Sequence, residues 1–130
     1  MRKHIFIVDS DPMMLSLLQQ LLEDEDYIVN TASRAEQAFA QLDGLADLYD
    51  ILIVDEGLPG KMDGLMLAQE AQRRDWFSFS SIIVMSEEVG ITWRAKRLGM
   101  EYALYKPFDL DALLKLVDHI PRSRRNPILI

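Results

Sequence analysis

The sequence predicts an α/β fold in which a five-stranded parallel sheet carries helices on both faces. Three observations predict it. Short apolar, β-branched runs recur at 4–8 (HIFIV), 27–31 (YIVNT), 50–54 (DILIV), 81–85 (SIIVM) and 102–105 (YALY). Some of these runs are continuously apolar, the pattern of strands covered on both faces. Between them the apolar residues fall at helical spacing, so strand and helix alternate along the chain, and right-handed crossovers then make the strands parallel.

Each element has a local cause. The first strand ends at Asp9-Ser10-Asp11, and Pro12 suits a first helical turn because its missing N–H would have had no partner there. Leu15, Leu18 and Leu22 mark one face of that helix. After the second strand, Ser33 and Glu36 have the form of a capping box, Ala35, Ala38, Phe39 and Leu42 make a stripe, and Asp43-Gly44 closes the helix. The third strand runs into the turn EGLPGKMDG, where Asp63-Gly64 suits a cap, followed by the stripe Gly64, Leu67, Ala68 and Ala71. The fourth helix, around EEVGITWRAKRLG, has only Ile91, Ala95 and Leu98 as a stripe, and Gly90 and Thr92 predict that it is short or mobile. Leu110, Leu113, Leu114 and Val117 mark the fifth.

At 130 residues, 49% apolar and 27% charged, the chain suits one domain, expected over 1–121, with 122–130 as a tail or linker. The absence of cysteine excludes disulfides and thiolate metal sites and is compatible with a reducing cytoplasm. A net charge of -7 opposes binding to nucleic acid or anionic membranes, which depends on Lys and Arg. No apolar run approaches the ~18 residues of a membrane span, and the run before Asp9 is too short for a signal peptide, so a soluble cytoplasmic protein is expected. Trp93 suits either a core position or an exposed anchor for a partner, and His4 and His119 lack ligand-like neighbours.

In open α/β sheets, ligands bind beyond the carboxyl ends of the strands. Those ends carry Asp9, Ser10 and Asp11, then Asp55 and Glu56, then Ser86 and Glu87, then Lys106. A carboxylate cluster with one lysine fits a hard cation such as Mg²⁺, which takes oxygen ligands and keeps several waters. A cation would also neutralise the charge that develops when a phosphoryl group meets an anionic acceptor. Asp55, ending the third strand below a Gly- and Pro-rich turn, is the expected acceptor, and aspartyl phosphates are a known covalent intermediate.

The segments VDSDP (8–12), ILIVDEGLPGKMDG (51–64), IIVMS (82–86) and YKPF (105–108), in this order over residues 3–120, resemble the response-regulator receiver domains of two-component signalling. The resemblance implies a flavodoxin-like sheet of order 2-1-3-4-5. It implies phosphoryl transfer from a sensor histidine kinase or phosphotransfer protein to Asp55, with Mg²⁺ bound by Asp9, Asp55 and the backbone carbonyl of Gly57. Ser86 would bond a phosphoryl oxygen, Lys106 would pair with that group or with Asp55, and the peptide before Pro107 would be cis. The domain would act as a phosphoacceptor that assists its own phosphorylation and dephosphorylation rather than as an enzyme. It would signal to an output partner through the fourth helix, fifth strand and fifth helix, as a monomer or a weak phosphorylation-dependent dimer.

Three positions depart from that pattern. Ser10 replaces a second metal-binding acid, which predicts weak Mg²⁺ affinity unless Asp11 or a water fills the gap, and Asp11 is expected chiefly to cap the first helix. Glu87 stands where the family has a small residue, so it would either crowd the acceptor or turn away as the start of the fourth helix. Ala103 occupies the place of the usual aromatic switch, and strand alternation suggests that neither Tyr102 nor Tyr105 replaces it. A phosphorylation-independent interaction module is therefore the second expectation. A haloacid-dehalogenase-type phosphatase with Asp9 as nucleophile is a remote third, since no paired acidic motif follows Lys106. Gly60-Lys61 is followed by Met62 and opens no nucleotide-binding loop.

Overall fold

The computed structural model describes residues 2–123. In chain order the elements are β1 (His4–Val8), α1 (Pro12–Asp24), β2 (Ile28–Ala32), α2 (Ala35–Leu42), β3 (Ile51–Asp55), α3 (Gly64–Arg73), β4 (Ile82–Ser86), α4 (Ile91–Arg97), β5 (Tyr102–Tyr105) and α5 (Leu110–His119). Short 3-10 turns at Ala46–Leu48 and Phe79–Ser81 precede β3 and β4. The sheet is wholly parallel, in the order β2-β1-β3-β4-β5.

Every residue of β3 and β4 is buried, the physical reason those runs are continuously apolar. Alternate side chains feed two cores. Phe6, Val8, Leu52, Val54, Ile82 and Val84 pack under α2, α3 and α4. Ile5, Ile7, Ile51, Ile53, Ile83 and Met85 pack under α1 and α5, where Leu18, Leu22, Leu113 and Val117 close the layer. Each fully buried Leu or Ile contributes about 2 kcal/mol relative to exposure, so the two layers hold the strand ends at one rim.

Three strands lie one residue further along the chain than their apolar runs suggest. For β3, Asp50 shows why: its carboxylate accepts the His4 N–H at 2.8 Å while its own N–H donates to His4 O at 2.8 Å, so it caps the pairing just ahead of Ile51. At the other end, Asp55 pairs with Met85 and Ser86 with Tyr105, so both polar residues are the last members of their strands. The capping box at Ser33 and Glu36 does not form. Arg34 is the N-cap of α2, and Gln37 instead reaches back to the Ser33 N–H at 3.1 Å, which frees Glu36 to accept the Met62 N–H at 3.2 Å. Asp43 and Gly44, with φ +82, end α2 as expected.

Helix α4 is short, as its sparse stripe predicts. Its seven residues start after Gly90, whose φ of +89 suits a residue without a Cβ. Glu87 and Glu88 therefore precede the helix and do not form its first turn. In the expected tail, the Ser123 N–H donates to Asp50 at 2.7 Å, while residues 124–130 of that segment lie outside the described residues. Among the described residues no helix is long and apolar enough to cross a membrane.

Gly64 marks the closest approach of α3 to the sheet, since a Cβ there would fall 1.8 Å from the Asp55 carbonyl oxygen. Gly64→Ala is expected to destabilise the domain by about 3 kcal/mol, because backbone rather than a mobile side chain would have to yield. Urea unfolding measures this, and an unchanged midpoint would contradict it.

Candidate functional site

Four strands deliver their last residues to one edge of the sheet. Asp9 follows β1, and its backbone N–H bonds Ala32 O at 3.2 Å. Its Oδ1 accepts the Asp11 N–H at 2.9 Å and its Oδ2 accepts Lys106 Nζ at 2.6 Å, although Lys106 is 97 positions away in the chain. Asp55 Oδ1 lies 3.1 Å from the same ammonium. The Lys106 N–H donates to Ser86 O at 2.7 Å, which fixes the base of the lysine beside β4, and the peptide to Pro107 is cis. Asp9, Asp55 and Lys106 are 1%, 8% and 9% exposed, so this is a buried ion triad rather than a solvated charge pair.

The triad floors a cavity of about 640 Å³. Burial and the neighbouring Asp9 carboxylate push the Asp55 pKa above its ordinary value, with Lys106 only partly offsetting them. For Lys106, burial opposes the charged form, but the hydrogen bonds and charges of the two aspartates prevail and its pKa is raised. Gly57 lines the cavity, and its backbone contributes a hydrogen bond that favours the Asp55 carboxylate.

Ser10 is exposed at the rim of this cavity. Asp11 also lines it, but its Oδ1 accepts the Met13 N–H at 2.9 Å, the capping role expected of it. Among the described residues no three acidic or imidazole side chains form a metal cluster. The donor set is two hard carboxylates, Asp9 and Asp55. Mg²⁺ sites commonly use one or two carboxylates with waters, so this chemistry fits the ion, minus the acid that Ser10 replaces. Glu87 is exposed at the cavity mouth, outside α4.

Two residues that the strand-end argument left without a role complete the site. Ser86 Oγ donates to Glu56 Oε1 at 2.6 Å and accepts the Glu88 N–H at 2.9 Å. Arg94, from α4, grips the same carboxylate through Nη2 at 2.6 Å and Nε at 3.0 Å. Burial opposes ionisation of Glu56, but Arg94 and Ser86 outweigh it and the pKa is lowered. The position of Glu56 beside Asp55 was a visible signal. Arg94 gave none, because only the fold brings α4 over the β3 turn.

The alternation argument for β5 holds for Tyr102, which packs toward α5, and fails for Tyr105. Tyr105 is two residues beyond Ala103 and therefore on the same face, where it is 48% exposed between the acidic cavity and a groove along α4. Trp93 lines that groove and is 62% exposed, so it is not a core residue, and Arg97 stacks 4.8 Å from its ring centre.

Fold and site together define a doubly wound α/β domain with an acidic pocket at the carboxyl rim of its sheet. Residues 5–118 match the model of the response regulator receiver domain, and the chain belongs to that family, the receivers of two-component signalling. Over 127 residues it is 33% identical to the transcriptional regulatory protein TcrA of Mycobacterium tuberculosis, covering 95% of this chain and 47% of that protein. Over 133 residues it is 29% identical to the transcriptional regulatory protein KdpE of Staphylococcus aureus, covering 100% of this chain and 56% of that one. The chain thus spans about half the length of these curated relatives. The chemotaxis protein CheY4 of Vibrio cholerae shares the fold with a TM-score of 0.81 and 23% identity, over 93% of this chain and 100% of that one. NtrX from Brucella abortus superposes with a TM-score of 0.79 and 26% identity, over 92% of this chain and 27% of that one. Receivers of this family interact with kinases and output domains.

The raised Asp55 pKa means that the native state keeps this proton to higher pH than the unfolded chain does. Its contribution to stability is present below the ordinary value of 3.8 and is lost as pH rises through the raised native value. Asp55→Asn should therefore raise the thermal midpoint by a few degrees at pH 7, with the gap closing as pH falls toward 3.8. A lower midpoint for the Asn variant at neutral pH would count against this electrostatic account.

Proposed function

We propose that Asp55 accepts a phosphoryl group from the phosphohistidine of a sensor kinase or phosphotransfer protein, and that the domain passes this state to an output partner through α4, β5 and α5. The observation that carries the reading is the single Lys106 ammonium held by both Asp9 and Asp55 at the floor of an open cavity. Asp55 supplies the nucleophilic oxygen. Lys106 is placed to neutralise charge on the phosphoryl group as it arrives, and Asp9 keeps the lysine oriented at the buried floor of the cavity. Mg²⁺ would be held by Asp9, Asp55 and the Gly57 carbonyl, with Ser10 or a water in place of an acid, and would supply further charge neutralisation. The domain assists its own phosphorylation and dephosphorylation and turns over no separate substrate. A partner kinase and the lack of cysteine suit a cytoplasmic setting.

A second reading, a receiver that binds its partner without phosphate, is favoured by the rim of the cavity. Ser10 is neutral, Asp11 is committed to its cap, and Glu87 adds negative charge at the mouth. The dehalogenase-type alternative gains nothing from the family match, and its nucleophile Asp9 is almost wholly buried.

Incubation with acetyl phosphate and Mg²⁺ should give a hydroxylamine-sensitive acyl phosphate that maps to Asp55 and is absent in Asp55→Asn. Label on Asp9 would support the phosphatase, and no label at saturating Mg²⁺ would support the phosphate-independent module. Ser10→Asp restores a charged ligand and should tighten Mg²⁺ binding roughly tenfold by calorimetry; unchanged affinity would remove Ser10 from the account.

A further inference from the structure

The residue after the acceptor engages neither Lys106 nor solvent alone. Glu56 Oε1 accepts a hydrogen bond from the Ser86 hydroxyl at 2.6 Å, and its carboxylate is clamped in turn by two nitrogens of Arg94. A serine hydroxyl has one proton to donate. The Glu88 N–H donates to Ser86 Oγ at 2.9 Å, which helps fix the hydroxyl with its O–H directed at Glu56. Ser86 is 2% exposed, so water is poorly placed to replace a lost partner.

A phosphoryl group on Asp55 would present anionic oxygens to this serine and so compete with Glu56 for its one proton. Arg94 also donates to Val89 O at 3.0 Å, joining the loop before α4 to the same clamp. The N-cap of α4 has no side-chain hydrogen bond, so the Glu56 pair is a principal polar tie between this helix and the β3 turn. The aromatic switch position is Ala103, which cannot move an aromatic ring inward to report the state of Ser86.

We infer that Glu56 is a positioning residue, held by Arg94, that withholds the Ser86 hydroxyl from Asp55 until a phosphoryl oxygen displaces it, and that this exchange couples Asp55 to α4. The inference rests on the phosphoacceptor reading above and adds a gate to it. In the reaction with acetyl phosphate, an Asp55 carboxylate oxygen forms the new bond to phosphorus while the phosphorus–oxygen bond to the acetyl group breaks and acetate leaves with the electron pair. The Ser86 proton stays on Ser86 and exchanges its Glu56 acceptor for a phosphoryl oxygen.

The test is a cycle of four proteins, wild type, E56A, S86A and E56A/S86A, each labelled with acetyl phosphate and Mg²⁺. E56A should raise the labelling rate roughly tenfold, the effect of one charged hydrogen bond, and should have no effect once Ser86 is gone. E56Q, which keeps the side-chain volume, should raise the rate as well. In a Trp76→Phe background, phosphorylation should change Trp93 emission, and E56A should abolish that change. An equal gain in the S86A background would reduce Glu56 to simple charge repulsion and overturn the proposal, as would label on Asp55 with no dependence on Glu56, or a Trp93 response that survives E56A. If none of the four proteins takes label, the phosphoacceptor reading itself fails and carries this inference with it.

Discussion

The buried ammonium of Lys106 is the constraint on which the rest of the site depends. Two carboxylates and one amine at 1%, 8% and 9% exposure would be costly to bury singly, and the two carboxylates can share this site only because the ammonium pairs with both. The price is met by geometry: the lysine backbone is bonded to Ser86 O, Asp9 is fixed by the Asp11 N–H, and Asp55 ends a strand buried at every position. Burial first, and then the second carboxylate of the triad, raise the Asp55 pKa. A carboxylate strained in this way, beneath an open cavity, is suited to bind a cationic or phosphoryl partner.

A second charged group lies a few residues along from the first and is organised differently. Glu56, Ser86 and Arg94 make a half-buried chain that runs outward to α4. The helix it reaches is the shortest of the five and begins at a left-handed glycine. Short helices with little capping open at low cost, so a polar clamp there has more effect than the same clamp on α1 would. Beside it lie the exposed Trp93 and Tyr105, an apolar surface flanked by Lys96 and next to the acidic pocket. Site and surface are therefore physically continuous, and the clamp lies between them.

Most of the fold was legible from periodicity. The five strands, the helical stripes and the two caps at Asp11 and Asp63 follow from local pattern, because burial on both faces selects continuous apolar runs and helix ends select short polar side chains. The errors were also physical. Strand ends slipped by one residue because apolar content does not reveal which polar residue, Asp50 or Asp55, joins the ladder. The α2 cap differs because Gln37 accepts the Ser33 N–H and Glu36 accepts the N–H of Met62, 26 positions along the chain. Tyr105 was misjudged through its face, since its period of two from Ala103 was overlooked.

By itself, the sequence determined the alternation of strands and helices, the acidic strand ends and the lysine before a proline, because these depend on residue type and near neighbours. Only the tertiary structure decided that Lys106 serves both Asp9 and Asp55, that Asp11 lines the cavity with its carboxylate turned to the α1 cap, and that Ser86 donates its hydroxyl hydrogen bond to Glu56, which Arg94 holds in place. Those outcomes depend on which of several competing partners comes within hydrogen-bond reach, and the packing of α4 and β5 against the β3 turn sets that distance. No local pattern encodes it.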